Sequence, residues 1–344
     1  MIHFGNDYTE GAHPKILERL VETNMEQAPG YGMDKYTKHA EQLIKKAVGR
    51  EDVDVHLLSS GTQTNLTIIS ASLRPYQGVI TADSGHILTL EAGAVEAVGH
   101  QIIPLSNRNG KITAKQVGEF SQAYKDNPTS FHKPEPGMVY LSNPTEVGTL
   151  YSKQELEDLR QVCDTFDLKL FIDGARLGYG LVSESNDLTL NAITNLTDVF
   201  YFGGTKIGAL FGEAVIIKND EIKRGFKTLM KQKGSLLAKG RALGIQFEVL
   251  FENDLYLDSS RHAVDQAMRI KQTFSSREIP LKYEAHTNQL FPILTKSQIN
   301  SLNKKYSMLE YQTVDGNHSV IRICTSWGTR KENVDAFIQD IKKL

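Results

Sequence analysis

The sequence lacks the features that would tie the chain to a membrane, an oxidising compartment or nucleic acid. Only two cysteines occur among 344 residues, so no disulfide framework is available and the cytoplasm is the expected setting. No apolar run could span a bilayer, and the first residues lack the pattern of a signal peptide. The formal net charge of -2 favours neither nucleic acid nor an anionic membrane as a partner. These absences indicate an ordinary soluble globular protein.

Glycine motifs for nucleotide binding are also missing. No G-x-G-x-x-G follows an apolar run, which argues against a dinucleotide site. The sequence GGTK at 203–206 does not have the composition of a phosphate-binding P-loop. That motif places glycine before its lysine and serine or threonine after it, whereas Thr205 and Ile207 flank Lys206.

What the sequence does contain is a series of short apolar runs rich in β-branched residues. Seven of them predict strands, at 55–58, 78–82, 101–105, 138–142, 169–173, 198–202 and 214–218. Most are separated by helical spacing, as in 151–167, and this alternation indicates a mostly parallel sheet sandwiched by helices. We therefore expect an α/β fold with a large domain over residues 1–250, including the N-terminal segment, and a smaller α+β domain over residues 251–344.

Polar residues follow several of the predicted strands, and ligands of open α/β sheets bind beyond the carboxyl ends of strands. The stretch SSGTQTN at 59–65 opens a helix, where the backbone amides of Gly61 and Thr62 either hold a phosphate or merely form an N-cap turn. Asp173 ends another strand. Its desolvated carboxylate needs a positive partner, either Arg176 or a protonated ring nitrogen of a cofactor.

Lys206 follows a further strand, in a stretch that is otherwise apolar or rich in glycine. It is either a surface lysine whose stem packs or an amine kept accessible for covalent chemistry. Pyridoxal phosphate requires three groups: an amine that forms a Schiff base, an acid that pairs with the ring nitrogen, and a site that holds the phosphate. No metal site is predicted.

Several motifs resemble the threonine aldolase and β-eliminating lyase group of pyridoxal-phosphate enzymes, which have the aspartate-aminotransferase-type fold. The resemblance covers nearly the whole chain, through GNDYTEGAHPKI (5–16), SSGTQTN (59–65), ADSGHI (82–87), FIDGARL (171–177), FGGTKIGALFG (202–212), HTNQLF (286–291) and IRICTSWGT (321–329). It implies that Lys206 carries the cofactor and that Asp173 pairs with the pyridinium nitrogen. It also implies that Ser60, Gly61 and Thr62 hold the phosphate.

The resemblance assigns further roles. His86, which from the residues alone is a polar turn residue, would stack on the cofactor ring and serve in proton transfer. Arg176 and Arg322 would grip the substrate carboxylate. Arg322 lies in an apolar strand pattern, where a guanidinium needs an anionic partner from the protein or from a ligand. Asn6, in an Asn-Asp pair where the family has Ser-Asp, would contribute to carboxylate binding.

The implied reaction is retro-aldol cleavage of a β-hydroxy amino acid, such as L-threonine or L-allo-threonine, to glycine and an aldehyde. Pro144 stands where the family often has a histidine that contacts the β-hydroxyl, so Glu146 or His86 would have to take its proton. The alternatives are β-elimination or transamination of another amino acid, a regulatory protein that only binds the cofactor, and a nucleotide-binding α/β protein.

The resemblance also implies a homodimer or homotetramer with its active site at the subunit interface. The segment 28–37 is the expected contribution from the neighbouring subunit, through Tyr31 or Tyr36.

Overall fold

The structure is a computed structural model that describes all 344 residues. Its strands are β1 (Ile2–His3), β2 (Asp54–Leu58), β3 (Gln77–Ala82), β4 (Gln101–Leu105), β5 (Glu135–Ser142), β6 (Lys169–Asp173), β7 (Val199–Gly203), β8 (Glu213–Ile217), β9 (Gln289–Leu290), β10 (Ile293–Thr295), β11 (Tyr306–Ser307), β12 (Leu309–Thr313) and β13 (His318–Cys324). Its helices are α1 (Pro14–Glu22), α2 (Lys35–Val48), α3 (Gly61–Ser72), α4 (His86–Thr89), α5 (Ala94–Ala97), α6 (Ala114–Asp126), α7 (Lys153–Phe166), α8 (Leu177–Leu181), α9 (Leu190–Leu196), α10 (Asp220–Lys223), α11 (Phe226–Gln232), α12 (Arg241–Phe251), α13 (Leu255–Ser276), α14 (Lys296–Leu302) and α15 (Lys331–Ile341).

The main sheet has seven strands in the order β2-β8-β7-β6-β5-β3-β4. Each corresponds to one of the predicted apolar runs, so the predicted fold class is confirmed. Strand β8 is antiparallel to both of its neighbours, β2 and β7, and the other pairs are parallel. The reason is the connection between β7 and β8, residues 204–212, which is too short for the crossover that a parallel pair requires.

Helices cover both faces of this sheet. Because side chains alternate along a strand, neighbouring residues enter different hydrophobic clusters. Ile172 and Phe200 belong to the cluster on one face, whereas Phe171 and Val199 belong to the cluster on the other. The strands are therefore apolar on both faces, as their unbroken hydrophobic runs predict.

The C-terminal part of the chain has a smaller sheet in which β13 pairs with β9, β10 and β12. The first residues of the chain pack here, because β1 pairs with β11 and Phe4 lies in the hydrophobic cluster of this region. Residues 2–4 thus join the C-terminal part, although the predicted boundaries placed them in the large domain. The boundary after residue 250 stays a prediction. No helix of the structure combines the length and the apolar character needed to cross a membrane.

Candidate active site

The carboxyl ends of the parallel strands meet at one edge of the main sheet. Helix α3 begins three residues after β2, His86 follows β3, Asp173 ends β6 and Lys206 follows β7. These residues lie far apart in the sequence, and the topology brings them to one edge. The cleft at this edge is the candidate active site.

Lys206 lies in the hairpin loop between β7 and β8. Its backbone carbonyl accepts a hydrogen bond from the Tyr179 hydroxyl, but its Nζ makes no hydrogen bond or ion pair within the chain. Burial, and then the positive charge of Arg176, lower the pKa of this amine. A lysine with a lowered pKa is more often in the neutral form that attacks a carbonyl carbon.

Asp173 is buried and accepts four hydrogen bonds. The hydroxyls of Tyr140 and Tyr201 donate at 2.5 Å each, and the Asn65 side-chain amide and the Ala175 backbone amide donate at 3.0 Å each. Burial alone would raise the pKa of Asp173, but nearby His86 and these hydrogen bonds outweigh it, so the pKa is lowered. The carboxylate is therefore held in its charged form.

Arg176 does not pair with Asp173, so that sequence-based alternative is wrong. Its Nε and Nη2 instead donate to the buried carboxylate of Asp7 at 2.6 and 2.9 Å. Asn288 also donates to Asp7, at 2.9 Å. Arg176 keeps Nη1 without a partner in the chain. The guanidinium is thus oriented by the bidentate pair and still has donors for a second anion.

Arg322 lies on β13 and has no carboxylate partner in the protein. Its Nη2 donates to the Gly5 backbone carbonyl at 2.9 Å, while its Nε is buried without a hydrogen-bond partner. No carboxylate of this chain therefore serves as the anionic partner that the sequence predicts for Arg322. Asn6 follows Gly5 directly, and its side-chain oxygen accepts from the Tyr8 backbone amide at 3.1 Å.

The N-terminus of α3 carries donors without acceptors. The Ser60 hydroxyl caps the helix by accepting from the Gln63 backbone amide at 3.4 Å. The backbone amides of Gly61 and Thr62 have no acceptor within the chain. A helix N-terminus with free amides favours an anion such as phosphate.

His86 is partly exposed at the start of α4. Its backbone amide donates to Glu146 Oε1 at 2.9 Å, and its Nε2 lies 3.9 Å from Glu91 Oε1. Burial lowers the pKa of His86 against the opposing Asp173 charge, and the charges of Lys206 and Arg176 act in the same direction as burial. The neutral imidazole this favours has an aromatic face suited to stacking on a planar ring.

The comparison with known families decides the classification. A profile of the family described as beta-eliminating lyase matches residues 6–297. The chain belongs to the beta-eliminating lyase family. A solved structure of a threonine aldolase from Leishmania major superposes on this chain with a TM-score of 0.96 and 43% sequence identity, over 100% of this chain and 99% of that one.

Other relatives of this beta-eliminating lyase chain are more distant. The low specificity L-threonine aldolase of Pseudomonas aeruginosa is 28% identical over 98% of this chain and 96% of its own length. A serine palmitoyltransferase from Sphingomonas wittichii has 14% identity and a TM-score of 0.73 over 99% of this chain and 86% of its own, which indicates a shared fold.

The beta-eliminating lyase family consists of pyridoxal-phosphate enzymes, and the residues at the sheet edge fit that cofactor. The amine of Lys206 and the first amides of α3 have no partners in the chain. Ser84 Oγ and Asn65 Oδ1, close to His86 and Asp173 respectively, are buried without hydrogen-bond partners. Unsatisfied buried polar atoms around one cleft are what a polar ligand would complete.

Sequence reasoning missed several residues that shape the site. Tyr140 and Tyr201 lie within apolar strands and donate to Asp173. The only signal for them in the sequence was that a buried tyrosine hydroxyl needs a hydrogen-bond partner. Asn65 donates to both Glu91 and Asp173. Glu213 begins β8, and nothing in the sequence indicated that it belongs to the site. Its side chain reaches the site only because β7 and β8 form a hairpin.

Glu213 supports the loop that carries Lys206. Its carboxylate accepts from the Gly204 backbone amide at 3.1 Å and from the Thr205 hydroxyl at 2.9 Å. Burial raises the pKa of Glu213 to about 8, against the opposite effect of the Lys206 charge. This carboxyl group therefore braces the two residues that precede Lys206.

The two tyrosines predicted to reach a neighbouring subunit differ in exposure. Tyr36 is buried within its own chain, and its hydroxyl donates to Glu26 at 2.7 Å. Tyr31 is 41% exposed, with the Lys231 amine 4.6 Å from its ring centroid. Only Tyr31 is free to reach a partner.

Proposed function

We propose that the protein is a pyridoxal-phosphate-dependent lyase that cleaves β-hydroxy-α-amino acids, such as L-threonine or L-allo-threonine, to glycine and an aldehyde. The observation that carries this proposal is the convergence of Lys206, Asp173 and Arg176 at one edge of the main sheet, with Arg322 supplied from β13 of the smaller sheet. The names of the similar proteins from Leishmania major and Pseudomonas aeruginosa support the same activity.

The cofactor is held by four groups of residues. Lys206 is its covalent attachment point, and the α3 N-terminus, with Ser60, Gly61 and Thr62, holds its phosphate. Asp173 keeps its ring nitrogen protonated, and His86 lies against its ring. When bound, the cofactor supplies an electron-accepting ring that stabilises the electron pair left on Cα.

The substrate is oriented by its carboxylate. Arg322 and the free Nη1 of Arg176 bind it, while Asp7 holds Arg176 in place. Asn6, next to the Gly5 carbonyl that Arg322 contacts, adds a polar side chain to this end of the cleft. Two fixed guanidinium groups determine which bond at Cα stands perpendicular to the ring, and hence which bond breaks.

The working form is a homodimer or homotetramer whose active site lies at the subunit interface. Leu17 and Val21 on α1 are 46% and 76% exposed, and Met25 beyond the helix is 89% exposed. The N-terminal end of α1 contacts the Lys206 loop, where the His13 backbone amide donates to the Gly208 carbonyl, so the helix leads from the site to this apolar surface. A second copy of the chain would cover it.

A product assay tests the activity. We expect the purified protein, supplied with pyridoxal phosphate, to release glycine and acetaldehyde in equal amounts from L-threonine or L-allo-threonine. Pyruvate or 2-oxobutyrate with ammonia, from serine or threonine, would instead identify an eliminating lyase. A keto acid formed only with an added amino acceptor would identify an aminotransferase.

Labelling tests the site separately. Borohydride reduction followed by peptide mapping should place the cofactor on Lys206, and Lys206→Ala should abolish the label. A label on another lysine would contradict the assignment of Lys206 even if threonine is cleaved.

A further inference from the structure

Cleavage of a β-hydroxy amino acid requires a group that takes the proton of the β-hydroxyl, and this inference rests on the proposed function. Pro144 occupies the turn position where a histidine was expected, and it has no acceptor. A Cβ on Gly180 would lie 3.1 Å from the Pro144 ring atoms, so the proline is buried against α8 rather than directed into the cleft.

The turn that contains Pro144, residues 143–149, directs one side chain to the cleft. Asn143 is buried and accepts from the Tyr151 backbone amide, and Thr145 is buried against Thr149. Val147 lies in a hydrophobic cluster. Glu146 is the one side chain of this turn that is partly exposed.

Glu146 is anchored by one of its two carboxylate oxygens. Oε1 accepts from the His86 backbone amide at 2.9 Å and from the Ser142 hydroxyl. Ser142 is the register partner of Asp173 in the sheet. The carboxylate therefore lies between His86 and the strand end that carries Asp173, while Oε2 accepts no hydrogen bond from any side chain.

We propose that Glu146 is the general base that removes the β-hydroxyl proton of the substrate. The O–H bond breaks and its proton passes to Oε2, while the oxygen electrons form the carbonyl of the departing aldehyde. The Cα–Cβ bond breaks at the same time and its electron pair stays on Cα. Protonation of Cα then completes glycine.

The surroundings make the Glu146 carboxylate a stronger base than a glutamate in water. Burial raises the pKa of Glu146, and the nearby Asp173 charge acts in the same direction, against hydrogen bonds from Ser142 and the backbone. The other titratable groups that face it are Tyr140 on β5, Tyr151 after the turn and Tyr311 on β12. Burial raises the pKa values of all three tyrosines, which favours their neutral phenol form.

His86 is the competing base, but its contacts give it another task. Its Nε2 faces Glu91 at 3.9 Å, and its ring is partly exposed. In the proposed function His86 lies against the cofactor ring, which leaves proton removal to Glu146. Comparing the effects of His86→Gln and Glu146→Gln distinguishes these two roles.

Two readouts on the holoenzyme test this assignment. Glu146→Gln should lower kcat for L-threonine by roughly 100- to 10,000-fold, the range for loss of a general base. Exchange of the glycine α-proton with deuterated solvent, followed by NMR, needs no β-hydroxyl base and should change by less than about threefold. In the wild-type protein kcat should fall at low pH, because Glu146 becomes protonated. The residual kcat of Glu146→Gln should not show this fall.

Matched variants complete the experiment. Glu221→Gln, whose carboxylate pairs with Lys169 at the opposite edge of the sheet, should behave as wild type. Glu146→Asp should keep more activity than Glu146→Gln, and it provides a second test if the glutamine variant does not fold.

Four outcomes would overturn the inference. Glu146→Gln with near-normal threonine cleavage would exclude Glu146 as the base, and a selective loss in His86→Gln would assign the role to His86. Equal losses of cleavage and glycine exchange in both Glu146 variants would make Glu146 structural. Absence of threonine cleavage by the wild-type protein would instead refute the proposed function itself, and this inference with it.

Discussion

At the scale of single residues, the candidate site is a group of buried and half-buried charges, some with partners in the chain and some without. Asp7 is paired with Arg176, and Asp173 is held by two tyrosine hydroxyls and two amides. Lys206 and Arg322 have no carboxylate within ion-pair distance. Burying a cation without a partner costs free energy, so these two side chains are where a ligand gains most by binding.

Glu91 should make the free energy of unfolding of the protein depend on pH. Burial raises the pKa of Glu91 from 4.5 to about 7, and the nearby Asp173 charge contributes to the rise. The folded state therefore binds a proton that the unfolded state has lost, and stability falls as pH rises through this range. We expect the cofactor-free protein to lose on the order of 3 kcal/mol through Glu91 between pH 4.5 and 8.

Urea unfolding at several pH values measures this effect. Glu91→Gln should flatten the fall in the free energy of unfolding, because a neutral amide does not titrate. Glu221→Gln should keep the wild-type slope, since its side chain is 81% exposed. An unchanged slope in Glu91→Gln would mean that Glu91 does not carry the extra proton.

At the scale of elements, the site depends on how closely β6 and β7 approach each other. A Cβ on Gly174, the residue after Asp173, would lie 1.8 Å from the Tyr201 backbone carbonyl oxygen. No side chain rotation relieves a clash with backbone, so glycine is required there. The close approach also brings the Tyr201 hydroxyl to Asp173.

Gly174→Ala should therefore destabilise the protein and disturb the site. We expect the free energy of unfolding to fall by about 3 kcal/mol, because the two strands must separate. Gly118→Ala is the control. A Cβ there would meet only the movable Val162 Cγ2 at 3.2 Å, and alanine favours α6. Equal effects of the two substitutions in urea unfolding would contradict the argument.

At the scale of the whole molecule, the site is assembled from distant parts of the chain. Gly5 and Asp7 come from the N-terminal segment, Asp173 and Lys206 from the main sheet and Arg322 from the C-terminal sheet. The carboxylate-binding arginines stand on different sheets. The relative placement of these parts therefore determines the geometry in which a substrate is held.

The exposed apolar surface of α1 leads to a prediction about assembly. The protein should run as a dimer or tetramer in size-exclusion chromatography with light scattering. Val21→Asp should shift it toward monomer and lower its activity, because a charge there opposes burial against a second copy. Phe131→Asp is the control, since Phe131 is 75% exposed but precedes β5, away from the site edge. A wild-type monomer would contradict the proposed interface.

The local sequence pattern alone was sufficient to predict the strands of the main sheet and the charged residues at their carboxyl ends. The runs at 101–105 and 169–173 match β4 and β6, because unbroken apolar runs are a local consequence of burial on both faces. Asp173 stood out as a charge that ends such a run, and Lys206 as a charge that follows one within four residues.

Pairing between distant residues was decided only by the tertiary structure. Arg176 lies three positions from Asp173 but pairs with Asp7, which is 169 positions away. Tyr140 and Tyr201 reach Asp173 because β5 and β7 flank β6, and the order of strands is not written in their hydrophobic runs. Glu146 accepts a hydrogen bond from the His86 backbone amide, 60 positions away, whereas the other side chains of its turn are buried. A chain reveals locally which residues are apolar or charged, whereas the partner of each charge depends on contacts that only folding creates.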